Sequence, residues 1–365
     1  MIRIPVYQPD LTGKERDYVL ECLDSTWISS KGRFIQEFEK GFADFVGAPH
    51  AATAGNGTVA LHLALLALGI GPGDEVIVPT LTYIASVNAI RYVGATPVFC
   101  DSLPDTWQMD PADVERRVTP RTRALMAVHL YGGACDMPAL HAICRTHGLR
   151  LVEDCAEAIG TRLDGRHVGT FGDIATFSFF GNKTITTGEG GMVVCGEPGL
   201  DNLVRRLRGQ GLAGNREYWH DLVGYNYRMT NICAAIGLAQ LERVDSILDQ
   251  KRRLAASYQH ALAEVPVAFQ GATAGEESSN WMVTILVPDA AQRDPLRHEL
   301  LDRGIETRPV FHPVHQMPMY RTNEAFPVAT DVAGRGINLP SWHSLADADV
   351  AGISRVISDH LQGGA

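Results

Sequence analysis

Lys183 is the residue in this sequence best placed to do covalent chemistry. It lies in the segment TFSFFGNKTITTGEGG (176–191), between an apolar, β-prone run with Phe177, Phe179 and Phe180 and a glycine-rich turn. Burial disfavours the charged ammonium, and the neutral amine is the form that condenses with a carbonyl. The ordinary alternative is a surface lysine in a turn. The rest of the chain decides between these two interpretations.

A turn that is suited to binding phosphate precedes an apolar helix. Gly55, Asn56 and Gly57 lead into residues 59–68, which are apolar on nearly every face and therefore predict a fully buried helix. A glycine-rich turn into a helix presents free backbone N–H groups and the positive end of the helix dipole. A capped helix start without a ligand has the same pattern. The turn does not spell G-x-G-x-x-G, which disfavours a dinucleotide-binding fold.

The elements that must position these groups alternate between strand and helix from residue 75 onward. Short β-branched strands such as EVIVP, TPVFCD and LRLVED are separated by amphipathic helices. This alternation predicts a mostly parallel sheet covered on both faces. Ligands of such sheets bind beyond the carboxyl ends of the strands. Asp154, Ser178 and Lys183 all fall at or near such ends, so we expect them to share one site.

Two further stretches predict helices and a division into domains. Phe34, Phe38, Phe42 and Phe45 recur at helical spacing, which indicates one core-facing stripe. Residues 231–265 read as one long helix, and a smaller α/β unit follows. We therefore expect a large domain over residues 1–230, whose N-terminal segment can pack on the other domain, and a small C-terminal domain over residues 231–365.

The motifs together resemble the DegT-type sugar-nucleotide aminotransferases, which are fold-type I pyridoxal-phosphate (PLP) enzymes. The resemblance extends over nearly the whole chain and is carried by the segments TWISSKGRFIQEFE, GPGDEVIVPTLTYIAS, GATPVFCD, HLYG, VEDCAEA, SFFGNK-x-ITTGEGG, GYNYRMTNI and RPVFHPVH. It implies a fold-type I α/β architecture and PLP as cofactor. It also implies transfer of an amino group from L-glutamate to a keto-sugar nucleotide. The likeness is greatest to members that aminate C4 of GDP-4-keto-6-deoxy-D-mannose.

The resemblance assigns the cofactor site residue by residue. Lys183 is the amine that bonds the cofactor, and Asp154 is the carboxylate that pairs with the pyridine nitrogen and keeps it protonated. The aromatic ring that covers the cofactor is expected to be Tyr83, for which a core tyrosine is the alternative. Glu157 falls near the phenolic oxygen, where many members have Gln or His, so it either shares a proton or points elsewhere. The expected phosphate donors are Gly57, Thr58, Ser178 and, from a second subunit, Asn226.

Candidate substrate residues follow from the same likeness. Arginine suits a carboxylate or a diphosphate, since its guanidinium forms paired hydrogen bonds, but the sequence does not divide these anions between the two candidates. The HxxH pair is interrupted by proline and lacks an evident third ligand, so we expect no metal. The candidates are Arg228, Arg308, Trp27, Ser29, His312 and His315.

Composition limits the classes of protein and partner. The 365 residues are 45% hydrophobic and 20% charged, which is ordinary for a globular protein of two domains. A net charge of −10 disfavours general binding to nucleic acid or anionic membranes. The seven cysteines lack a CxxC pair and indicate reduced thiols. We expect a cytoplasmic homodimer with shared active sites.

Three alternatives stay open at this point. A related dehydratase of the same fold has histidine in place of the lysine, and Lys183 argues against it. Another keto-sugar nucleotide, or a cyclitol ketone, would keep the chemistry and change the product. A non-catalytic regulatory protein on the same fold is the third alternative, because fold does not imply function.

Overall fold

A computed structural model describes residues 2–214 and 216–363. The helices are α1 (Glu15–Asp24), α2 (Arg33–Val46), α3 (Gly57–Ala67), α4 (Ile84–Tyr92), α5 (Pro111–Arg116), α6 (Met137–His147), α7 (Pro198–Arg208), α8 (Asn231–Leu241), α9 (Val244–Ala261), α10 (Ala290–Asp302), α11 (Pro327–Arg335) and α12 (Asp347–Gln362). The strands are β1 (His50–Ala54), β2 (Glu75–Pro79), β3 (Thr96–Cys100), β4 (Thr122–Val128), β5 (Arg150–Asp154), β6 (Arg162–Leu163), β7 (Arg166–His167), β8 (Ile174–Ser178), β9 (Gly191–Cys195), β10 (Ala268–Phe269), β11 (Glu276–Glu277), β12 (Thr284–Leu286), β13 (Arg308–Pro309) and β14 (Gly336–Asn338). None of these helices is long and apolar enough to cross a membrane.

The central sheet has seven strands in the order β1-β9-β8-β5-β4-β2-β3. β9 runs antiparallel to both of its neighbours, and the pairs from β8 to β3 are parallel. The expectation of a mostly parallel α/β sheet is therefore confirmed. β5 and β8 are adjacent, so their carboxyl ends bring Asp154 and Ser178 to the same edge of the sheet.

Two helices with different patterns pack near this sheet. In α2, Phe34, Phe38 and Phe42 are buried as the stripe predicts, and the Phe42 ring packs edge-on against Phe177 and Phe179 of the β8 segment. α3 is buried along most of its length, as its unbroken apolar sequence predicts. α3 also contacts β8 and β9, so its N-terminus is held beside the strand that leads to Lys183.

A second, antiparallel sheet of order β10-β12-β14-β13 forms near the C-terminal end of the chain. Its core includes residues from α9, α10 and α12, and also Ile4 from the N-terminal segment. The N-terminal segment thus packs on the smaller sheet, as the sequence analysis allows. The proposed division at residue 230 stays a prediction.

The single long helix expected over residues 231–265 is wrong. The structure has two helices, α8 and α9, and the chain turns at Glu242 and Arg243. Both residues at the turn are bound by the N-terminal part of the chain: Glu242 accepts a 2.6 Å hydrogen bond from the Tyr18 hydroxyl, and Arg243 forms a 3.2 Å ion pair with Asp10. α8 packs against α1 and α2, so these polar contacts redirect the chain before α9.

Candidate active site

A cavity of about 550 Å³ lies at the carboxyl ends of the parallel strands. This is the position where sheets of this class bind ligands. Seven of the eight residues expected to hold the cofactor line it, and Asn226 is the exception. The seven are Gly57, Thr58, Tyr83, Asp154, Glu157, Ser178 and Lys183.

The amine of Lys183 is enclosed in this cavity, with only 12% of its side chain exposed. Its Nζ lies 3.8 Å from Oε1 of Glu157 and 3.9 Å from the ring centre of Trp281. Burial lowers the pKa of Lys183, and the negative charges of Glu157 and Asp154 oppose this effect without cancelling it. The amine therefore loses its proton more easily than an ordinary lysine, as covalent chemistry with a carbonyl requires.

Asp154 is the last residue of β5 and is 5% exposed. Its Oδ2 accepts a 2.7 Å hydrogen bond from the Ser86 hydroxyl, and its Oδ1 accepts one of 3.1 Å from the backbone N–H of Ala156. Burial raises the pKa of Asp154, although these bonds and the charge of Lys183 act to lower it. A cationic ring nitrogen in the cavity would complete the carboxylate's neutralisation.

The neighbouring Glu153 belongs to a different environment. Successive side chains of a strand point to opposite faces, so Glu153 faces away from Asp154. It accepts hydrogen bonds from the His129 ring and from the backbone N–H groups of Gly169, Phe171 and Gly172. Cys155 completes a compact group of donor atoms with His129 and Glu153. Because the carboxylate and both ring nitrogens of His129 already have partners, this cluster is structural.

The N-terminus of α3 and Ser178 form one wall of the cavity. Asn56 caps the helix by accepting a 3.0 Å hydrogen bond from the N–H of Val59. A Cβ added to Gly57 would lie 2.8 Å from the Cβ of Ser178, so only glycine allows this close approach. The first N–H groups of a helix have no acceptor within it, and the Ser178 hydroxyl lies beside them. Such a wall is suited to a dianionic phosphate.

Glu157 lines the cavity, and its role toward the phenolic oxygen of the cofactor stays a prediction. Its Oε2 accepts a 2.9 Å hydrogen bond from the backbone N–H of Tyr131, and its Oε1 faces Lys183. Burial raises the pKa of Glu157 to about 7, even though Lys183 and the Tyr131 N–H act to lower it. Near neutral pH this side chain is partly protonated and can therefore donate a hydrogen bond as well as accept one.

Sequence reasoning missed several residues of the cavity. Trp281 covers the Lys183 amine, Ser86 bonds Asp154, and Phe311 lies 5.6 Å from the half-exposed ring of Tyr83. Ser86 follows Tyr83 within the TLTYIAS segment, so its place was open to prediction from the motif. Phe311 lies in the RPVFHPVH segment and was open to prediction in the same way, whereas Trp281 had no comparable signal, because it lies in an apolar run that resembles ordinary core.

The expected substrate residues do not line the cavity within one chain. Arg228 donates a 3.0 Å hydrogen bond to Ser30, and Asn226 is exposed beside it. Trp27 lies in a separate groove with Arg33, Arg205 and Arg208, and Ser29 is exposed next to this groove.

The three candidates from the RPVFHPVH segment lie apart from each other. Arg308 is exposed and pairs with Glu306, and His312 is also exposed. His315 is buried, and its Nδ1 lies 2.7 Å from the Thr80 hydroxyl. His312 and His315 thus lie in different environments; their roles toward substrate stay predictions, and so does the expected absence of a metal.

The cavity residues fit PLP. This cofactor uses four features of a protein. They are a buried amine of lowered pKa, a carboxylate for the ring nitrogen, a glycine-lined helix start with a hydroxyl for the phosphate, and an aromatic face. The arrangement brings them into one cavity from α3, α4, β5 and the β8–β9 connection. Fold and site together define a PLP-dependent enzyme of the α/β class.

Comparisons with known proteins identify the family. The chain belongs to the DegT/DnrJ/EryC1/StrS aminotransferase family, whose model matches residues 9–358. It is similar to a GDP-perosamine synthase of Escherichia coli O157:H7, with 57% identity over 357 residues and 98% of each chain. It is 51% identical to one from Vibrio cholerae, over 98% of this chain and 99% of that one. The crystal structure of an aminotransferase from Streptoalloteichus hindustanus superposes with a TM-score of 0.94 at 32% identity, covering 99% of both chains. PLP is accordingly the cofactor of this protein.

Proposed function

We propose that this protein moves the amino group of L-glutamate to C4 of GDP-4-keto-6-deoxy-D-mannose and thereby makes GDP-perosamine. The observation that carries the choice of substrate is the 57% identity to the E. coli GDP-perosamine synthase, which extends over nearly all of both chains. The enclosed set of Lys183, Asp154 and Ser178 supports a working catalyst and disfavours a regulatory protein that only shares the fold.

Each side chain has a distinct task in this proposal. Bound PLP would supply an aldehyde carbon, to which the transferred amino nitrogen bonds, and a ring that withdraws electrons. Lys183 would hold that aldehyde, and its Nζ would move a proton to or from the substrate carbon. Such proton transfer contributes ~10²–10⁴-fold. Asp154 keeps the ring nitrogen protonated, and the backbone of Gly57 and Thr58 with the Ser178 hydroxyl binds the phosphate.

The proposed function includes a homodimer with shared active sites. Asn226 and Arg228 do not reach the cavity of their own chain, so we propose that they complete the cavity of a second copy in a homodimer. The arginine would meet an anionic part of the sugar nucleotide. A cytoplasmic location likewise stays a prediction.

Steady-state kinetics test the reaction type. The two half-reactions use one site in turn, so initial rates with both substrates varied should give parallel double-reciprocal lines. Intersecting lines would contradict this order. A panel of keto-sugar nucleotides tests the substrate: we expect turnover to be highest with the GDP-linked 4-keto sugar. Preference for another member of the panel would keep the enzyme class and reject the substrate.

The Lys183→Ala variant tests the central residue. We expect it to lose turnover, because no other amine lines the cavity among the described residues. Circular dichroism and thermal unfolding serve as controls for folding. Persistence of turnover at the wild-type rate would reject the assignment of Lys183.

A further inference from the structure

Lys251 is a buried amine to which the proposed mechanism gives no role. It lies on α9 and is fully buried. Its Nζ donates hydrogen bonds to the backbone carbonyls of Trp281 (2.9 Å) and Ser341 (2.5 Å), and it lies 5.3 Å from the ring centre of Tyr7. Burial lowers the pKa of Lys251 to about 7. Either the amine or the ammonium has enough N–H groups for both carbonyls, so both bonds persist across neutral pH.

Two neighbours of Lys251 reach the backbone of the active-site lysine. The indole N–H of Trp281 donates a 2.6 Å hydrogen bond to the carbonyl of Asn182, and the hydroxyl of Tyr7 donates one of 2.7 Å to the carbonyl of Lys183. These two carbonyls are consecutive in the chain. The backbone that carries the catalytic amine is thus held by two side chains, each of which contacts Lys251.

Trp281 also acts on the amine directly. Its ring centre lies 3.9 Å from Nζ of Lys183, which is the geometry of a cation–π contact. Such a contact favours the ammonium form, so the placement of the ring influences both the position and the proton affinity of the amine. The bond from Lys251 to the Trp281 carbonyl fixes the backbone from which this ring projects.

The segment around Tyr7 is also linked to Lys251, through the backbone of Ser341. The backbone N–H of Ser341 donates a 3.0 Å hydrogen bond to the carbonyl of Val6, and the Ser341 carbonyl accepts the bond from Lys251. Removing the Lys251 amine would therefore leave two buried carbonyls without a donor, one next to each of the side chains that hold the Lys183 backbone. Unpaired buried polar groups favour rearrangement of the segments that contain them.

We propose that Lys251 is a positioning residue for the reaction, which acts through Trp281 and Tyr7 to hold Lys183 in place. The inference rests on the proposed role of Lys183 as the catalytic amine. Its test measures the amine itself in cofactor-free protein, so it can fail or succeed independently of the substrate assignment.

The variant Lys251→Met replaces the amine with an apolar side chain of similar length. Competitive acetylation of the cofactor-free full chain across a pH series, read by peptide mass spectrometry, gives the reactivity of Lys183. If Trp281 moves away, the Lys183 amine loses the ring that covers it, so its labelling at pH values above its pKa, where the amine is neutral and access of the reagent sets the rate, becomes faster by about threefold. Loss of the Lys251 charge alone shifts the pKa of Lys183 and hence the pH at which labelling rises, but it leaves the rate above that pKa unchanged. The labelling rate above the pKa therefore separates positioning from charge.

A matched control comes from the same helix. Tyr258 is also fully buried on α9, and its hydroxyl donates a 3.1 Å hydrogen bond to the carbonyl of Pro340, next to Ser341. Tyr258→Phe removes one buried hydrogen bond to this segment and leaves the side-chain hydrogen bonds of Trp281 and Tyr7 in place. We expect it to lower stability and leave the labelling of Lys183 unchanged. In the cofactor-loaded enzyme, Lys251→Met should lower kcat by about 10²-fold through misplacement, with KM for L-glutamate near the wild-type value.

A double-mutant cycle identifies the route. If Lys251 acts through Trp281, the effect of Lys251→Met on labelling should be much smaller in a Trp281→Leu background. Additive effects would reject that route. If the methionine variant does not accumulate, Lys251→Gln replaces it, because glutamine keeps N–H donors on a shorter, neutral side chain. We expect its labelling rate at Lys183 to lie between those of wild type and Lys251→Met. Unchanged or slower labelling of Lys183 in whichever variant folds would overturn the proposal.

Discussion

Replacing Glu157 with glutamine tests the unusual carboxyl group of the cavity. Glutamine cannot ionise, but it keeps an oxygen that can accept the backbone N–H of Tyr131, which in the wild-type protein donates to Oε2 at 2.9 Å. The change therefore removes the titration of the side chain with little change in its shape. Any pH-dependent difference between the two proteins reports the protonation of Glu157.

The magnitude follows from the shift in pKa. Burial raises the pKa of Glu157 from its ordinary 4.5 to about 7, with the opposing effect of Lys183 already included. The folded chain binds this proton more tightly than the unfolded chain does. The resulting stability is full below about pH 4.5 and is lost as the pH rises through about 7. A shift of this size corresponds to a loss of about 3 kcal/mol.

The assay is urea unfolding of the cofactor-free protein at pH values from 5 to 8 and at one fixed protein concentration. Groups that do not interact with Glu157 cancel in the difference, so Glu157→Gln should gain stability relative to wild type as the pH rises. The gain should approach about 3 kcal/mol and stop increasing above pH 7 to 8. The exposed Glu217→Gln is the charge control, for which we expect a nearly constant difference. Parallel stability profiles for wild type and Glu157→Gln would refute the assignment of a proton to this buried carboxyl.

Two further substitutions test the opposite ends of the cofactor cavity. Asp154→Asn keeps the size of the side chain and an acceptor for Ser86 but removes the charge, so we expect kcat to fall by about 10²–10³-fold in steady-state assays. The unfolding midpoint should be no lower than that of wild type, because burial raises the pKa of Asp154. Gly57→Ala places a Cβ 2.8 Å from the Cβ of Ser178, so we expect the affinity for PLP in equilibrium dialysis to fall by about tenfold or more. Gly196→Ala, whose Cβ would meet open space, is its control, and equal affinities of the two alanine variants would reject the phosphate wall.

The sequence predicted the centre of the site because the chemistry there follows strand ends. Asp154 ends β5 and Ser178 ends β8, and these strands are neighbours in the sheet. A parallel sheet places the carboxyl ends of neighbouring strands at one edge, so local pattern and topology were sufficient. The phosphate wall was suggested by the glycine-rich turn before an apolar helix, although a capped helix start without a ligand has the same pattern.

Other features depend on contacts that a sequence pattern does not contain. The break between α8 and α9 has no glycine or proline, and the apolar spacing continues from Leu241 to Val244. Contacts from Tyr18 and Asp10, far away in the chain, end the first helix there. Trp281 was missed because its link to Lys183 exists only after the smaller sheet packs onto the larger one. Strands of two residues, such as β6 and β7, are too short to show a period.

Glu153 and Asp154 are neighbouring carboxyl groups of one strand that lie in different environments and have different roles. Burial acts on both carboxyls, but hydrogen bonds from His129 and the backbone outweigh it at Glu153, and its pKa is lowered. At Asp154 the donors are fewer and burial prevails, so its pKa is raised. The carboxylate of Glu153 already accepts hydrogen bonds at both oxygens, so it is not available to a ligand. The carboxylate of Asp154 still lacks a full countercharge. Since only Asp154 faces the cavity, the alternation of the strand determines which of two consecutive acids can pair with a cationic cofactor.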